Sequence, residues 1–181
     1  MIVFSNVSKK YNNTTALDNV SFKITPGEFV SLVGESGSGK STIIKLIIGE
    51  EKPTSGRVIV GSYEVHRLHP KELPQLRRQI GTVFQDFKLL PTKTAYENVA
   101  FALEVDGRPE HEIEEAVMQM LDMVGIADKK KNFPHELSGG EKQRVAISRA
   151  MIHKPAVVVA DEPTGNLDAK NSAEILKLLF K

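Results

Sequence analysis

The chain has 181 residues, the length of one ordinary domain, enough to bury about 70% of the surface its unfolded form exposes. Twenty-four Lys and Arg against twenty-three Asp and Glu leave a formal charge of +1, so no global field draws it to nucleic acid or an anionic bilayer, and any polyanion it binds must be small and locally recognised. The absence of cysteine excludes disulfide frameworks, Cys-ligated zinc, iron–sulfur clusters and thiol nucleophiles.

The opening Ile2 to Val7 predicts a strand, the polar run Asn12 to Thr15 a turn, and Val20 to Ile24 a second, antiparallel strand. After Pro26-Gly27, the apolar run Phe29 to Val33 predicts a strand buried on both faces of a parallel sheet. A glycine-rich loop, Gly34 to Gly39, leads into a helix from Ser41 to Ile48. Next come a strand at Arg57 to Val60, a helix from Lys71 to Gln79 and a strand from Ile80 to Phe84. From Asp86 the alternation of strand and helix stops, which marks an insertion. Within it, Ile113, Ala116, Val117, Met120, Leu121 and Val124 recur at the spacing of one helix face, between Pro109 and Gly125. Lys129 to Lys131 is expected to be a solvated loop. A helix from Gly140 to Ile152 follows, with His153 as a helix C-terminal cation. Ala156 to Ala160 predicts a second fully apolar strand, ending in Asp161 and Glu162, and residues 174–181 predict an amphipathic helix. The longest apolar runs fall short of the ~18 residues of a membrane span. The amino terminus lacks the charged and apolar regions of a secretory signal, and the expectation is a soluble cytoplasmic protein.

Three segments carry chemistry. Gly34-Glu35-Ser36-Gly37-Ser38-Gly39-Lys40-Ser41 fits G-x-x-x-x-G-K-[ST] without a mismatch, between a predicted strand and a helix. The glycines let backbone amides curl around phosphate oxygens, and the helix amino end favours the same anion. Lys40 would neutralise the β- and γ-phosphates and Ser41 would offer its hydroxyl to magnesium; the bland alternative is a turn that only joins strand to helix. Asp161 and Glu162 leave the carboxyl end of an apolar strand, where α/β sheets place their ligands. An Asp there suits a magnesium shell, and the next carboxylate suits orienting or deprotonating a water. The bland alternative for the pair is a solvated strand end. Leu137-Ser138-Gly139-Gly140-Glu141 opens a helix: as a capping box, Ser138 caps and Glu141 reciprocates, while as a ligand loop, Gly139 and Gly140 bring bare amides near an anion.

These segments, with Gln85 after the Ile80 strand and Gly165-Asn166-Leu167-Asp168, resemble in order and spacing the ATP-binding-cassette (ABC) ATPases. The resemblance covers essentially the whole chain. It implies an α/β P-loop NTPase fold with an antiparallel β edge and an inserted helical subdomain. The division it implies is a catalytic core at 1–85 and 141–181 around a helical subdomain at 86–140 that ends in the signature segment. ATP and Mg2+ are the implied cofactors, held by a nucleotide-sandwich homodimer with ATP between one phosphate loop and the partner's signature. Residue by residue, Tyr11 resembles the aromatic that stacks on adenine, and Gly34, Glu35, Ser36, Gly37, Ser38, Gly39, Lys40, Ser41 and Thr42 hold the phosphates. By the same resemblance, Gln85 would touch magnesium and the attacking water and report to the membrane partner, Asp161 would join Ser41 and Gln85 at the metal, and Glu162 would be the base. Ser138, Gly139 and Gly140 reach across the dimer, and Asp168 links the two sites. Glu141 departs from the glutamine commonest at its position.

Phe84 to Pro91, Tyr96 to Ala100 and Lys131 to Leu137 further resemble the bacterial cell-division branch of the family. That implies an integral-membrane permease partner, membrane contact only through it, a place at the inner face of the cell membrane and no nucleic acid. The lipoprotein-release and macrolide-export branches share Pro163 to Asp168, and Phe87, Leu89 and Leu90 fit either a groove for a partner helix or the small domain's core. Family members carry a switch histidine after one more strand. His66, His69, His111, His135 and His153 all precede Asp161, so none fits that role and the chain is expected to be truncated. A nucleotide-dependent dimerisation module with little hydrolysis therefore stands beside the ATPase reading. A soluble P-loop kinase has no use for the second cradle at Ser138.

Overall fold

Alternating apolar residues from Ile2 onward draw the amino-terminal segment into a long hairpin. In the computed structural model, which describes residues 1–165, 167, 168 and 171–175, the chain divides into two units, Met1–Gln79 and Ile80–Lys181. In the first, strand β1 (Ile2–Tyr11) pairs antiparallel with β2 (Thr14–Ile24) across a turn at Asn12, whose φ is 48°. Strand β3 (Ser55–Val60) lies on the other side of β1 and the short β4 (Tyr63–Glu64) follows it, giving the order β2-β1-β3-β4. Ile2, Phe4, Val7, Val58 and Val60 are buried, and Phe4 stacks on Phe22, its partner in register, at 4.5 Å. Helix α1 (Lys40–Ile47) buries Ile43, Ile44, Leu46 and Ile47. Helix α2 (Leu73–Arg78) buries Leu76, and Arg77 Nε donates to the Ile48 carbonyl at 3.1 Å, which satisfies a carbonyl at the end of α1.

The expected buried strand at Phe29 to Val33 is not found: the segment belongs to neither sheet, and Val33 is 92% exposed. An apolar run states which side chains can be buried, but a strand exists only where a neighbouring segment takes its backbone hydrogen bonds. Local pattern does not supply that neighbour.

The second unit is built around helix α5 (Gly139–Met151). Strands β5 (Ile80–Val83) and β6 (Val157–Ala160) pair in parallel, with Val83 opposite Ala160. β6 is less covered than its composition predicts, for Val158 is 41% exposed. α5 lies directly on β5: a β-carbon on Gly81 would come within 2.3 Å of the Ala150 carbonyl. Val83, Ile147, Ala150 and Ile175 form one buried cluster. The other joins α5 through Val145 to helices α3 (Ala95–Val105) and α4 (Glu110–Met123), by way of Val99, Leu103, Val117 and Leu121.

Helix α3 lies where the sequence shows no alternation. Its start was nonetheless written in Thr94-x-x-Glu97: Thr94 Oγ1 accepts from the Glu97 amide and Glu97 Oε2 accepts from the Thr94 amide at 2.7 Å. The Ala95 and Tyr96 amides donate to the carbonyls of Asn132 and Lys130, so the lysine run is less solvated than expected: Lys129 and Lys130 are half-buried against the start of α3 and Lys131 alone of the three is exposed. Among the described residues no helix is long and apolar enough to cross a membrane. Asn166 and, beyond Ile175, the expected carboxyl-terminal helix lie outside the described residues.

Candidate nucleotide site

The phosphate loop folds upon itself before α1. Gly37 and Gly39 sit at φ 81° and 94°, open to glycine and strained for other residues. A β-carbon on Gly39 would also meet the Ala16 carbonyl at 2.5 Å, so only glycine brings the loop this close to β2. Lys40 Nζ donates to the carbonyls of Gly34 and Glu35 at 2.8 and 2.7 Å, drawing the start of the loop over the start of the helix. No side chain caps α1, and with a cation inside an exposed turn the loop fits a phosphate group. Ser41 is exposed and Thr42 half-buried in the first turn of α1, while Glu35, Ser36 and Ser38 are exposed in the loop. Tyr11 lies in the same unit at the end of β1, with Lys9 Nζ 4.8 Å from its ring centre.

In the second unit, Asp161 and Glu162 leave β6, and the Asp161 amide extends the ladder by donating to the Val83 carbonyl at 2.9 Å. The Val83 to Ala160 register sets Gln85 level with Glu162 at the carboxyl ends of the paired strands. Both side chains converge on Gly165: a β-carbon there would stand 3.2 Å from Gln85 Nε2 and 3.4 Å from Glu162 Oε2. Glu162 is held at φ 45°, a conformation an ordinary residue keeps only where its surroundings impose it. Ser41, Gln85 and Asp161 offer hydroxyl, amide and carboxylate oxygens, the hard donors that magnesium takes. They are divided between the two units.

Ser138 opens α5 in the capping box predicted for it. Its hydroxyl accepts from the Glu141 amide at 3.3 Å, and Glu141 Oε2 accepts from the Ser138 amide at 2.7 Å. That backbone bond, and then the side-chain one, hold the Glu141 carboxyl below the usual carboxylate range. Gly139 is half-buried and Gly140 buried. A β-carbon on Gly140 would meet Asn171 Oδ1 at 2.8 Å. Asn171 in turn donates from Nδ2 to Asp168 Oδ2 at 2.7 Å and from its amide to Asp168 Oδ1 at 2.9 Å, so Asp168 also caps the helical residues 171–175.

The profile of the ABC transporter family matches residues 17–165. The chain belongs to the ABC transporter family. The cassette is 52% identical over 180 residues to the cell division ATP-binding protein FtsE of Bacillus subtilis, covering 99% of this chain and 79% of that protein. To the FtsE of Escherichia coli it is 51% identical over 179 residues, covering 98% and 81%. Among solved structures it is similar to the dimeric bacterial ABC transporter cassette MJ0796, with a TM-score of 0.92 and 41% identity over 99% of this chain and 81% of that one. A dimeric post-hydrolysis state of MJ0796 bound to ADP and Pi gives a TM-score of 0.91 at 39% identity, with the same coverage. The fold is that of an ABC ATPase cassette.

Several side chains of the cassette were not singled out by their chemistry in the sequence. Asn171 stands between Asp168 and Gly140. Arg149 donates to the carbonyls of Phe87 and Lys88, just past Gln85; its one visible signal is a cation in an apolar stretch of α5. Asn98, fully buried, accepts from the Leu90 amide and donates to the Leu90, Lys93 and Thr94 carbonyls, pinning the loop that precedes α3 to it. Leu89 packs against the α3–α4–α5 cluster, which favours the core reading for that residue. For His153, burial pulls the pKa below the ordinary value against an opposing pull from Asp106, which disfavours the helix-end cation expected for it.

Proposed function

We propose that this chain is the ATP-binding subunit of an ABC-type membrane complex that drives an integral-membrane partner, an FtsX-like permease, in bacterial cell division. The phosphate loop closed by Lys40 is the observation that carries the nucleotide half of this reading, and likeness to FtsE along nearly the whole chain supports the cellular half. Lys40, the amides of residues 34–39 and the hydroxyls of Ser41 and Thr42 bind the phosphates of ATP, and Tyr11 stacks on the base. Ser41, Gln85 and Asp161 hold magnesium, which when bound neutralises phosphate charge. Glu162 accepts the proton of the attacking water, and Gln85 orients that water beside it. Ser138, Gly139 and Gly140 approach the γ-phosphate held by a second copy, with Asp168 at the seam, a reading supported by the dimeric state of MJ0796. The catalytic core comprises 1–85 and 141–181 and the helical subdomain 86–140, the division the family likeness implies, with α3 and α4 packed on Val145 and Ile152 of the core part. The protein sits at the inner face of the membrane and meets it only through the permease.

Binding of a fluorescent ATP analogue and phosphate release, measured with and without Lys40→Ala, test the reading. The substitution removes charge-assisted bonds to phosphate of about 1.5–3 kcal/mol each, so two of them predict an affinity loss of about a hundredfold or more. Unchanged affinity sinks the assignment.

A further inference from the structure

Arg149 lies between Ser148 and Ala150 on α5. Its guanidinium reaches two consecutive main-chain carbonyls, Nη2 donating to Phe87 at 2.8 Å and Nη1 to Lys88 at 2.7 Å. Both acceptor residues are held at positive φ, 60° and 48°, conformations that side chains with a β-carbon leave unless something holds them there. The turn they close is tight: the Phe87 amide donates to the Phe84 carbonyl at 3.1 Å and the Lys88 amide to the Asp86 carbonyl at 2.6 Å. Gln85 is its second residue. Burial pulls the Arg149 pKa below the ordinary arginine value, and the two charge-assisted bonds offset that desolvation. A planar fork aimed at two adjacent carbonyls is a geometry lysine cannot reproduce.

We propose that Arg149 is a positioning residue for ATP turnover: by holding the 84–88 turn in its high-energy form, it fixes where the Gln85 side chain stands beside Glu162. The inference rests on the reading of Gln85 and Glu162 as the groups that handle the attacking water. The same side chain ties that turn to the helix that begins at Ser138, so the segment facing a second copy and the turn carrying Gln85 share one rigid element.

Arg149→Lys keeps a cation and loses the fork. Amide hydrogen exchange over residues 84–90 should quicken while exchange in α4 stays as it was. ATP affinity should hold, and kcat should fall about ten- to a hundredfold, the scale of a misplaced catalytic group. In a Gln85→Ala background the same substitution should add little, because both changes remove one function. Phe87→Gly, which makes positive φ intrinsically accessible, should recover much of the loss in the Arg149→Lys protein. If Arg149→Lys lowers the melting temperature, this pair decides, since an arginine that only supports packing gives Phe87→Gly no route to rescue. Unchanged exchange over 84–90, an equal loss with and without Gln85, or no rescue by Phe87→Gly would each overturn the proposal. Full turnover by Gln85→Ala alone would instead remove the reading of Gln85, and the exchange measurement would still report whether Arg149 holds the turn.

Discussion

The side-chain carbonyl of Asn171 stands 2.8 Å from where a β-carbon on Gly140 would lie. Gly140 therefore answers to a neighbour within its own chain, whatever it offers a ligand. Gly140→Ala is expected to destabilise by up to about 2 kcal/mol, an overpacking cost of about 1–3 kcal/mol less about 0.5–1 kcal/mol of helix preference for alanine. In an Asn171→Ala background the same change should be neutral or mildly stabilising. Chemical denaturation of the four proteins measures the coupling, and an equal cost in both backgrounds would show that Asn171 does not select the glycine.

Glu162 combines an expected chemical role with a strained backbone, and the two separate by substitution. Glu162→Gln retains the strain and should lower phosphate release by roughly 10²- to 10⁴-fold, the range for a positioned general base. Glu162→Gly should lose the same activity while gaining about 1 kcal/mol in stability, because glycine accepts φ 45° freely. A glycine variant that melts lower than the glutamine one would contradict the strain account.

Ser138 carries two roles that need different tests. Removing its hydroxyl uncaps α5, at about 0.5–2 kcal/mol. Ser138→Asp preserves the cap and places a negative charge where a partner's γ-phosphate is proposed to sit. ATP binding by the single chain should survive this substitution and ATP-dependent dimerisation should fail, as read by light scattering with and without nucleotide. Dimers that form as readily as in the wild type would displace Ser138 from the interface.

The sequence made both ends of this reading visible and hid the middle. The phosphate loop and the capping box at Ser138 are legible because each is a local backbone requirement written in consecutive residues. Thr94-x-x-Glu97 was equally legible, but its helix has few polar residues to give it a period. The convergence of Gln85 with Glu162 depends on a parallel register between strands more than seventy positions apart, and no local pattern fixes that. Phe29 to Val33 shows the reverse failure, where composition predicts a strand whose hydrogen-bond partner composition cannot name.

Glu97 and Glu141 are both held below the usual carboxylate range by the backbone amides of Thr94 and Ser138, and then by their hydroxyls. A depressed folded-state pKa contributes stability that is present above the unfolded value, about 4.3. That stability is lost as pH falls through the lower folded value. Thermal unfolding of the wild type and a Glu97→Gln/Glu141→Gln protein should therefore differ at neutral pH and converge in acid, as both carboxylates become protonated in the folded state. A gap that persists in acid would mean that these carboxylates do not act through their charge.

The position of α5 between two apolar clusters governs how the second unit comes apart. Val145 and Ile152 belong to the layer with α3 and α4, while Ile147 and Ala150 face β5. Stripping either layer away bares one flank of α5, so loss of one layer weakens the support of the other. The two layers are thus coupled through the one helix they share. Damage in the helical layer that shifts α5 is therefore felt at β5, the strand that leads to Gln85.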